Sequence, residues 1–251
     1  MNEHKFDGKG EIYKKYRPDY PAELFAWLYS DGGFSAESVV ADVGSGTGIF
    51  SRCLLERGSR VFAVEPNGDM RKKGEIALGK YSGFVSVAAS AESTGLKKNS
   101  VDFVTAAQAF HWFDREAFRL ECRRILRPEG KVLLLWNTKD PSSDVVCGIA
   151  RVSRRFCPSF SGFSGGIDFS DSSKEFSDFF SGEYVTKFFK NDFALDKESF
   201  VGRCLSSSYS LKDGDDGYYS YVSSLEKLFD DYSKDGLVFI PNFTCCYMGS
   251  V

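Results

Sequence analysis

Three glycines alternate with hydroxyl-bearing residues directly after an apolar run near residue 40. The segment reads VVADVGSGTGIF over residues 39–50. Because glycine costs conformational entropy inside any regular element, glycines clustered at a strand end indicate that the backbone approaches a ligand closely. The alternative interpretation of this loop is an ordinary turn between a strand and a helix.

A single acid follows the next apolar run along the chain. RVFAVEP places Glu65 21 residues after Gly44. Ligands of open parallel sheets bind at the carboxyl ends of the strands, where an acid accepts hydrogen bonds from both ribose hydroxyls and repels a 2′-phosphate. The segment 90–92, Ser-Ala-Glu, follows a third apolar run, where an adenine ring would reach. These residues predict a nucleoside ligand, and both NAD and S-adenosylmethionine fit. A surface acid is the alternative for Glu65 alone.

The spacing of the glycines helps to distinguish between classes of nucleotide ligand. A dinucleotide-binding loop has the pattern G-x-G-x-x-G/A, which needs a small residue where this chain has Ile49. No Gly-Lys-Ser/Thr follows, so the segment is not a Walker loop. Ile49 thus counts against a dinucleotide ligand, and an NAD-linked oxidoreductase on the same layered fold is kept as the alternative function.

Strands and helices that alternate along the chain would position these residues. Such alternation implies right-handed crossovers and a mostly parallel sheet with helices on both faces. We predict an α/β fold: a doubly wound, Rossmann-like, seven-stranded sheet with a cap or lid inserted after the fifth strand. The predicted strands are 38–44, 60–66, 84–90, 101–109, 130–137, 185–193 and 243–249, and the predicted helices include 21–30, 47–57, 67–78 and 114–127.

The chain divides into four predicted parts. Residues 1–34 form an N-terminal lid and helix, and residues 35–137 form the cofactor-binding core. Residues 138–183, rich in Ser, Gly and Phe, form a cap on the substrate side, with disorder as the alternative. Residues 184–251 complete the sheet with further helices.

Composition narrows the class of protein. A formal net charge of −3 over 251 residues argues against an extended nucleic-acid surface, and no apolar run reaches membrane-spanning length. The polar start MNEHKFDGKG lacks an apolar signal region. Seven scattered cysteines form no CxxC pair, which indicates neither a disulfide framework nor a metal site. We expect a cytoplasmic protein with reduced thiols, a monomer or homodimer, that binds no nucleic acid, membrane or metal.

An ordered series of motifs resembles class I S-adenosylmethionine-dependent methyltransferases: DVGSGTG, AVEPNGDM, SAES, AAQAFHWFD and ILRPEGKVLLLW. AFHWFD and YKKYRPDYP resemble the small-molecule subfamily of trans-aconitate methyltransferase-like proteins. The resemblance covers residues 11–137 and extends in outline to SSSYS and the last strand. It implies S-adenosylmethionine as cofactor and direct in-line transfer of a methyl group to a small-molecule acceptor. A protein that binds this cofactor without transferring methyl groups is a further alternative.

The resemblance also implies which residues hold the cofactor. The glycines would let the backbone pass the methionine moiety, and its carboxylate would lie near the start of the next helix. Asp42 would orient the loop or meet the ammonium group through water, and Glu65 would hold the ribose hydroxyls. The implied set is Asp42, Gly44, Ser45, Gly46, Thr47, Gly48, Glu65, Asn67, Met70, Ser90, Ala91, Glu92, Gln108 and Ala109, with Tyr13, Tyr16 and Arg17 closing over the cofactor.

Four residues are candidates for the acceptor side. His111, one of two histidines, is a candidate general base or acceptor-positioning residue. Its alternative is a structural role in capping or packing the next helix. Trp112, Phe113 and Trp136 are candidate walls of the acceptor pocket, with core packing as the alternative.

Overall fold

The computed structural model describes residues 19–163 and 176–251. Apolar runs such as VVADV are buried on both faces, which is typical of parallel strands covered by helices. The strands are β1 (Val39–Val43), β2 (Arg60–Val64), β3 (Phe84–Val87), β4 (Val101–Ala107), β5 (Leu126–Lys139), β6 (Val185–Lys190), β7 (Phe193–Leu195), β8 (Val238–Ile240) and β9 (Asn242–Gly249). The helices are α1 (Ala22–Ser30), α2 (Ile49–Leu55), α3 (Gly68–Leu78), α4 (Arg115–Ile125), α5 (Asp144–Phe156), α6 (Lys197–Leu205) and α7 (Tyr218–Tyr232).

Seven of these strands form one sheet in the order β3-β2-β1-β4-β5-β9-β6. β1 pairs in parallel with β2 and with β4, whereas β9 runs antiparallel to both β5 and β6. Helices cover both faces of the sheet. The predicted fold class, a seven-stranded, mostly parallel, Rossmann-like sheet, is therefore confirmed.

Side-chain caps fix where two predicted helices begin. The Asn67 side chain accepts a hydrogen bond from the Met70 amide at 2.9 Å at the start of α3. Asp114 accepts one from the Ala117 amide at 3.0 Å at the start of α4. Each such cap stabilises a helix by about 1 kcal/mol. Both caps lie at the first residue of a predicted helix, 67–78 and 114–127, so the predicted starts of these helices are confirmed.

Four predicted strands end too late or in the wrong place. β2, β3 and β4 stop before Glu65, Ser90 and Gln108, because the chain there turns out of the sheet at its carboxyl edge. The predicted strand 185–193 is wrong in its last three residues, because β6 ends at Lys190 and Phe193 begins β7. The Asp192 side chain accepts a hydrogen bond from the Asn242 amide at 3.0 Å beyond the end of β6, and β7 pairs with β8 in a separate hairpin.

Helix α4 also ends earlier than predicted. It stops at Ile125 rather than at 127, and Leu126 already belongs to β5. Val101 pairs with Leu126 whereas Phe103 pairs with Lys131, so the β5 strand is irregular between these two pairs. The irregular stretch contains Pro128, which cannot donate a ladder hydrogen bond.

Three apolar clusters hold the fold together. On one face of the sheet, α4 packs with Trp136, Phe176 and Phe179. On the other face, α1 and α2 pack against residues such as Leu133 and Leu135. The third cluster joins α5, α6, α7 and the β7–β8 hairpin. It contains residues from both sides of position 183, at which the predicted cap ends and the predicted C-terminal part begins.

The third cluster lies beyond the carboxyl edge of the sheet. Lys139 at the end of β5 pairs with Asn242 at the start of β9, and Lys190 at the end of β6 pairs with Phe243. The chain therefore leaves the sheet after β5 and after β6, and re-enters it at β9, at the edge at which β1 and β2 end. It enters β6 at the opposite edge, where Val185 pairs with Met248. Part of the predicted cap, 164–175, and the predicted N-terminal lid before residue 19 lie outside the described residues. Among the described helices, none has the length and apolar character needed to cross a membrane.

Candidate functional site

The glycine loop joins β1 to α2 in a conformation that favours glycine. Gly44, Gly46 and Gly48 have φ of +69°, +57° and +83°. A methyl group on Gly44 would lie 2.5 Å from the Cβ of Ala109, and one on Gly48 would lie 2.5 Å from Cδ1 of Leu78. Packing within the protein therefore accounts for these two glycines.

Gly46 differs from its two neighbours. The nearest atom to a methyl group placed there is Cε of Met70, at 3.9 Å. Among the residues that the structure describes, Gly46 therefore faces open space at the carboxyl edge of the sheet, and a side chain there would project into it. Of the three glycines, Gly46 is the one whose missing side chain leaves room for a ligand.

The carboxylate of Glu65 is bonded to this loop. Its Oε2 accepts a hydrogen bond from the Gly46 amide at 2.8 Å, and its Oε1 accepts one from the Asn67 amide at 2.8 Å. The residue is only 8% exposed. The alternative interpretation of Glu65 as a surface acid is therefore wrong. Because each carboxylate oxygen carries two lone pairs, the group can still accept hydroxyl donors from a ligand.

Asp42 lies beneath the loop and is fully buried. Its Oδ2 accepts a hydrogen bond from Ser51 of α2 at 2.5 Å, and its Oδ1 accepts one from Thr105 of β4 at 2.8 Å. Burial raises the pKa of Asp42 from 3.8 to about 6, the two hydroxyl donors oppose this shift, and the nearby charge of Glu65 adds to it. Asp42 therefore links the end of β1, where the loop begins, to α2 and to β4.

Two hydroxyl residues that hold Asp42 are absent from the sequence-based set. Ser51 and Thr105 are both fully buried. Thr105 is a polar residue inside the apolar run of β4, and Ser51 interrupts the apolar pattern of α2 in the same way. A buried polar group needs a partner, so these interruptions are the signal that could have identified them.

The hydroxyl of Thr47, which lies in the glycine loop itself, lacks such a partner among the described residues. Thr47 is 4% exposed, and its Oγ1 has no hydrogen-bond partner among the residues that the structure describes. An unsatisfied buried hydroxyl is costly, and a bound water, an ion or a role in a functional site is among the explanations for one in a native structure.

The segment after β4 packs against the glycine loop. Gln108 has a φ of +60°, a left-handed conformation that is uncommon for residues other than glycine. Its amide donates to the carbonyl of Leu135 at 2.8 Å, which holds this bend at the end of β4. The bend sets Ala109 and the ring of Phe113 against Gly44. Strained backbone of this kind clusters at functional sites.

The residues expected around an adenine ring lie near the end of β3. Ala91 and Met70 are buried, and Ser90 forms an isolated bridge with Ser93. Glu92 accepts a hydrogen bond from the Asp114 amide at 3.1 Å. The Glu92 carboxylate therefore also holds the start of α4, a structural role that the sequence did not indicate.

His111 lies in a 3₁₀ turn, Phe110–Trp112, directly beyond this bend. Its Nδ1 accepts a hydrogen bond from Nε1 of Trp136 at 3.3 Å. His111, Trp112 and Phe113 are half-buried. Trp136 is fully buried and stacks on Phe176. Trp136 therefore lies in the apolar core, the alternative given for it above, and contacts His111.

The structure thus brings together the ends of β1, β2 and β4. Tyr13, Tyr16 and Arg17 lie outside the described residues. Within the described ranges, no group of three or more His, Cys, Asp or Glu side chains is arranged to hold a metal ion.

Comparison with known families gives a match for the central part of the chain. Residues 41–134 match the family model described as a methyltransferase domain. The matched range contains the glycine loop, Glu65, the segment 90–92 and the 3₁₀ turn with His111.

Curated relatives carry methyltransferase names. An uncharacterized methyltransferase of Mycobacterium tuberculosis is 41% identical over 128 residues, which cover 51% of this chain and 50% of the relative. An uncharacterized methyltransferase-like protein of Schizosaccharomyces pombe is 34% identical over 155 residues, covering 59% of this chain and 58% of the relative. The chain thus spans about half the length of the curated relatives it matches.

Solved structures share the fold over nearly the whole chain. A protein from Anaeromyxobacter dehalogenans, provisionally named a type II methyltransferase, has a TM-score of 0.65 at 24% identity, covering 94% of this chain and 98% of that one. A SAM-dependent methyltransferase from Geobacter sulfurreducens, in complex with S-adenosyl-L-homocysteine, has a TM-score of 0.55 at 14% identity, covering 98% of each chain. At these identities the likeness shows the fold.

Proposed function

We propose that this chain, whose residues 41–134 form a class I methyltransferase domain, binds S-adenosylmethionine and transfers its methyl group to a small-molecule acceptor. The resemblance to class I methyltransferases and the predicted cofactor are confirmed at the level of the family. The placement within the trans-aconitate methyltransferase-like subfamily stays a proposal. One observation carries the function: the 2.8 Å hydrogen bond that joins the Glu65 carboxylate to the Gly46 amide at the carboxyl edge of the sheet.

The residues at this edge fit the cofactor. Glu65 is held where its remaining lone pairs can accept the two ribose hydroxyls. The open side of Gly46 leaves room for the methionine moiety, and the unsatisfied Oγ1 of Thr47 would donate a hydrogen bond to the methionine carboxylate. Met70 and Ala91 offer apolar surface to the adenine ring.

When bound, S-adenosylmethionine supplies an electrophilic methyl group on a sulfonium sulfur. The protein's task is to hold the acceptor in line behind the carbon–sulfur bond and to exclude water. Such positioning supplies roughly 7–11 kcal/mol of the barrier in favourable cases. Gln108, Ala109 and His111 follow β4 and would face the reacting end.

The helical cluster beyond the carboxyl edge supports a small-molecule acceptor. It places α5, α6, α7 and the β7–β8 hairpin on the side at which a ligand of the glycine loop would be bound. We propose that this cluster, together with Trp112 and Phe113, encloses the acceptor. We also propose a cytoplasmic monomer or homodimer that acts on neither nucleic acid nor membranes, in keeping with the net charge of −3.

Calorimetric titration with S-adenosylmethionine, S-adenosylhomocysteine and NAD tests the proposal. We expect micromolar affinity for the first two ligands, no heat with NAD, and loss of binding in Glu65→Ala. Glu37→Ala, which changes an exposed acid far from the loop, serves as the matched control. Binding of NAD alone would point instead to the oxidoreductase. Transfer of labelled methyl groups to a pooled metabolite extract then tests catalysis, and binding without transfer to any component would favour a non-catalytic binding protein.

A further inference from the structure

We propose that Trp136 fixes His111 in the tautomer that carries its proton on Nε2, so that His111 acts on the acceptor as a hydrogen-bond donor and not as the general base. This inference rests on the proposed function, because it assigns a role within the same site. Trp136 is accordingly a positioning residue for His111.

The contact between the two rings sets the tautomer. The indole nitrogen of Trp136 can only donate, and it lies 3.3 Å from Nδ1 of His111. Nδ1 must therefore present its lone pair to the indole. In a neutral imidazole one nitrogen carries the proton and the other accepts, so the proton of His111 lies on Nε2.

The surroundings of Trp136 keep its indole in place. The ring lies 5.3 Å from Phe176 in a stacked arrangement, and it meets Phe110 at 6.2 Å and Tyr247 at 6.1 Å. Its backbone lies inside the sheet, where Trp136 pairs with Cys245 of β9. A fully buried indole N–H needs an acceptor, and Nδ1 of His111 provides it.

This arrangement is incompatible with a base at Nε2. To take a proton there, Nε2 must offer a lone pair, which requires the neutral proton to be on Nδ1. A proton on Nδ1 would face the indole N–H, and two donors would then oppose each other. The same conflict arises in the doubly protonated imidazolium that base catalysis would produce.

His111 lies close along the chain to a residue that contacts the glycine loop. It follows Ala109 by two residues, and Ala109 lies against Gly44 of the glycine loop. His111 is half-buried, as are Trp112 and Phe113 beside it. A donor at this position suits an acceptor atom with a lone pair, and orients the acceptor without removing a proton from it.

The chemistry of the transfer then balances without His111 as base. A lone pair of the acceptor forms a bond to the methyl carbon, the carbon–sulfur bond breaks, and its electron pair returns to sulfur. An acceptor that reaches the site already deprotonated releases no proton in this step. We infer that the acceptor belongs to this class.

Nitrogen NMR of the imidazole tests the tautomer directly. The chain has two histidines, His4 and His111, so a His4→Gln variant assigns the signals of histidine labelled with ¹⁵N. We expect the pattern of an Nε2–H tautomer, with an unprotonated Nδ1. Trp136→Phe should mix the tautomers, whereas Trp27→Phe, on α1, should leave them unchanged. An Nδ1–H tautomer in the unaltered protein would overturn the proposal, whether or not Trp136→Phe folds.

Kinetics separate donor from base once an acceptor is known. His111→Gln keeps a side-chain donor but cannot act as a base, whereas His111→Phe loses both. We expect His111→Gln to stay within about tenfold of the wild-type kcat/KM, and His111→Phe to lose considerably more. An equal loss in both variants of about 10²–10⁴-fold would indicate a base and overturn the proposal. Failure to bind S-adenosylmethionine would refute the proposed function while leaving the tautomer result intact.

Discussion

The carboxylate of Glu65 and the amide of Gly46 are joined by a 2.8 Å hydrogen bond, although 18 residues separate them in the chain. This bond ties the end of β2 to the loop that follows β1. Because the second oxygen holds the Asn67 amide, Glu65 organises the site before any ligand enters.

Replacing Glu65 by Gln should weaken both the loop and cofactor binding. The new amide group would turn a donor toward the backbone N–H of either Gly46 or Asn67, and an unsatisfied buried donor costs about 1–3 kcal/mol. We expect a lower melting temperature and at least tenfold weaker binding of S-adenosylhomocysteine in calorimetry. Unchanged affinity would show that Glu65 serves the fold alone.

Stability should depend on pH through Asp42. Its pKa is raised from 3.8 to about 6, so between these values the folded protein binds more protons than the unfolded chain. Stability therefore falls as pH rises through this window, by about 3 kcal/mol at most. Urea unfolding at pH 4.5 and at pH 7 measures the slope.

The matched variant for this effect is Asp42→Asn, which cannot ionise. Ser51 and Thr105 can rotate their hydroxyls to meet the amide, so the variant should fold. We expect it to lose the Asp42 contribution to the slope between pH 4 and 6. An identical slope in both proteins would assign the pH dependence to other groups.

Two glycine substitutions should have different consequences. Gly48→Ala places a methyl group 2.5 Å from Leu78 at a φ of +83°, so we expect a loss of stability of about 1–3 kcal/mol. Gly46→Ala has space for its methyl group, so it should lose less stability but more cofactor affinity. Denaturant unfolding and calorimetry on both variants measure the two effects. Equal affinity losses would contradict the distinct role of Gly46.

The hydroxyl of Thr47 should matter for binding and not for folding. Thr47→Val keeps the shape of the side chain and removes an oxygen that has no partner among the described residues. Since a hydrogen bond to a charged group contributes about 1.5–3 kcal/mol, we expect roughly tenfold or greater loss of affinity for S-adenosylmethionine. Thermal stability should be unchanged or higher. A variant that binds as tightly as the wild type would remove Thr47 from the site.

The backbone strain at Gln108 should be measurable. Gln108→Gly relieves a left-handed conformation and should stabilise the fold by about 1 kcal/mol or less while slowing methyl transfer. Asn99→Gly, at a φ of +53° on the opposite side of β4, is the control for strain relief without a role in the site. If both variants retain full activity, the bend after β4 is structural only.

Much of the fold could be predicted because it follows from local patterns. The alternation of apolar runs and helices indicated the parallel sheet, and Asn67 and Asp114 marked two helix starts. The ends of the strands could not be predicted in the same way. Ala89 and Ala109 are apolar, yet both lie beyond the last residue of their strand, because the chain there turns out of the sheet.

The less predictable parts of the site depend on long-range contacts. Trp136 and His111 are 25 residues apart, and neither periodicity nor spacing shows that their rings meet. Likewise, nothing local indicates that Asp42 faces Thr105, a residue on another strand. The glycine loop and Glu65 could be identified because a strand end is a local feature, whereas their bond to each other required the register of β1 and β2.

The end of β5, the end of β6 and the start of β9 lie together at one edge of the sheet and divide the chain into two parts. The segments that we propose bind the cofactor lie before Lys139, and the helical cluster is built from residues beyond it. Because the segment with β7, α6, α7 and β8 leaves the sheet after Lys190 and returns at Asn242 of the same edge, this part of the cluster can change in length and sequence while the ends of β1, β2 and β4 keep their places. Under the proposed function, this architecture lets evolution, or a designer who builds chimaeras, exchange the recipient of the methyl group while inheriting its donor unchanged.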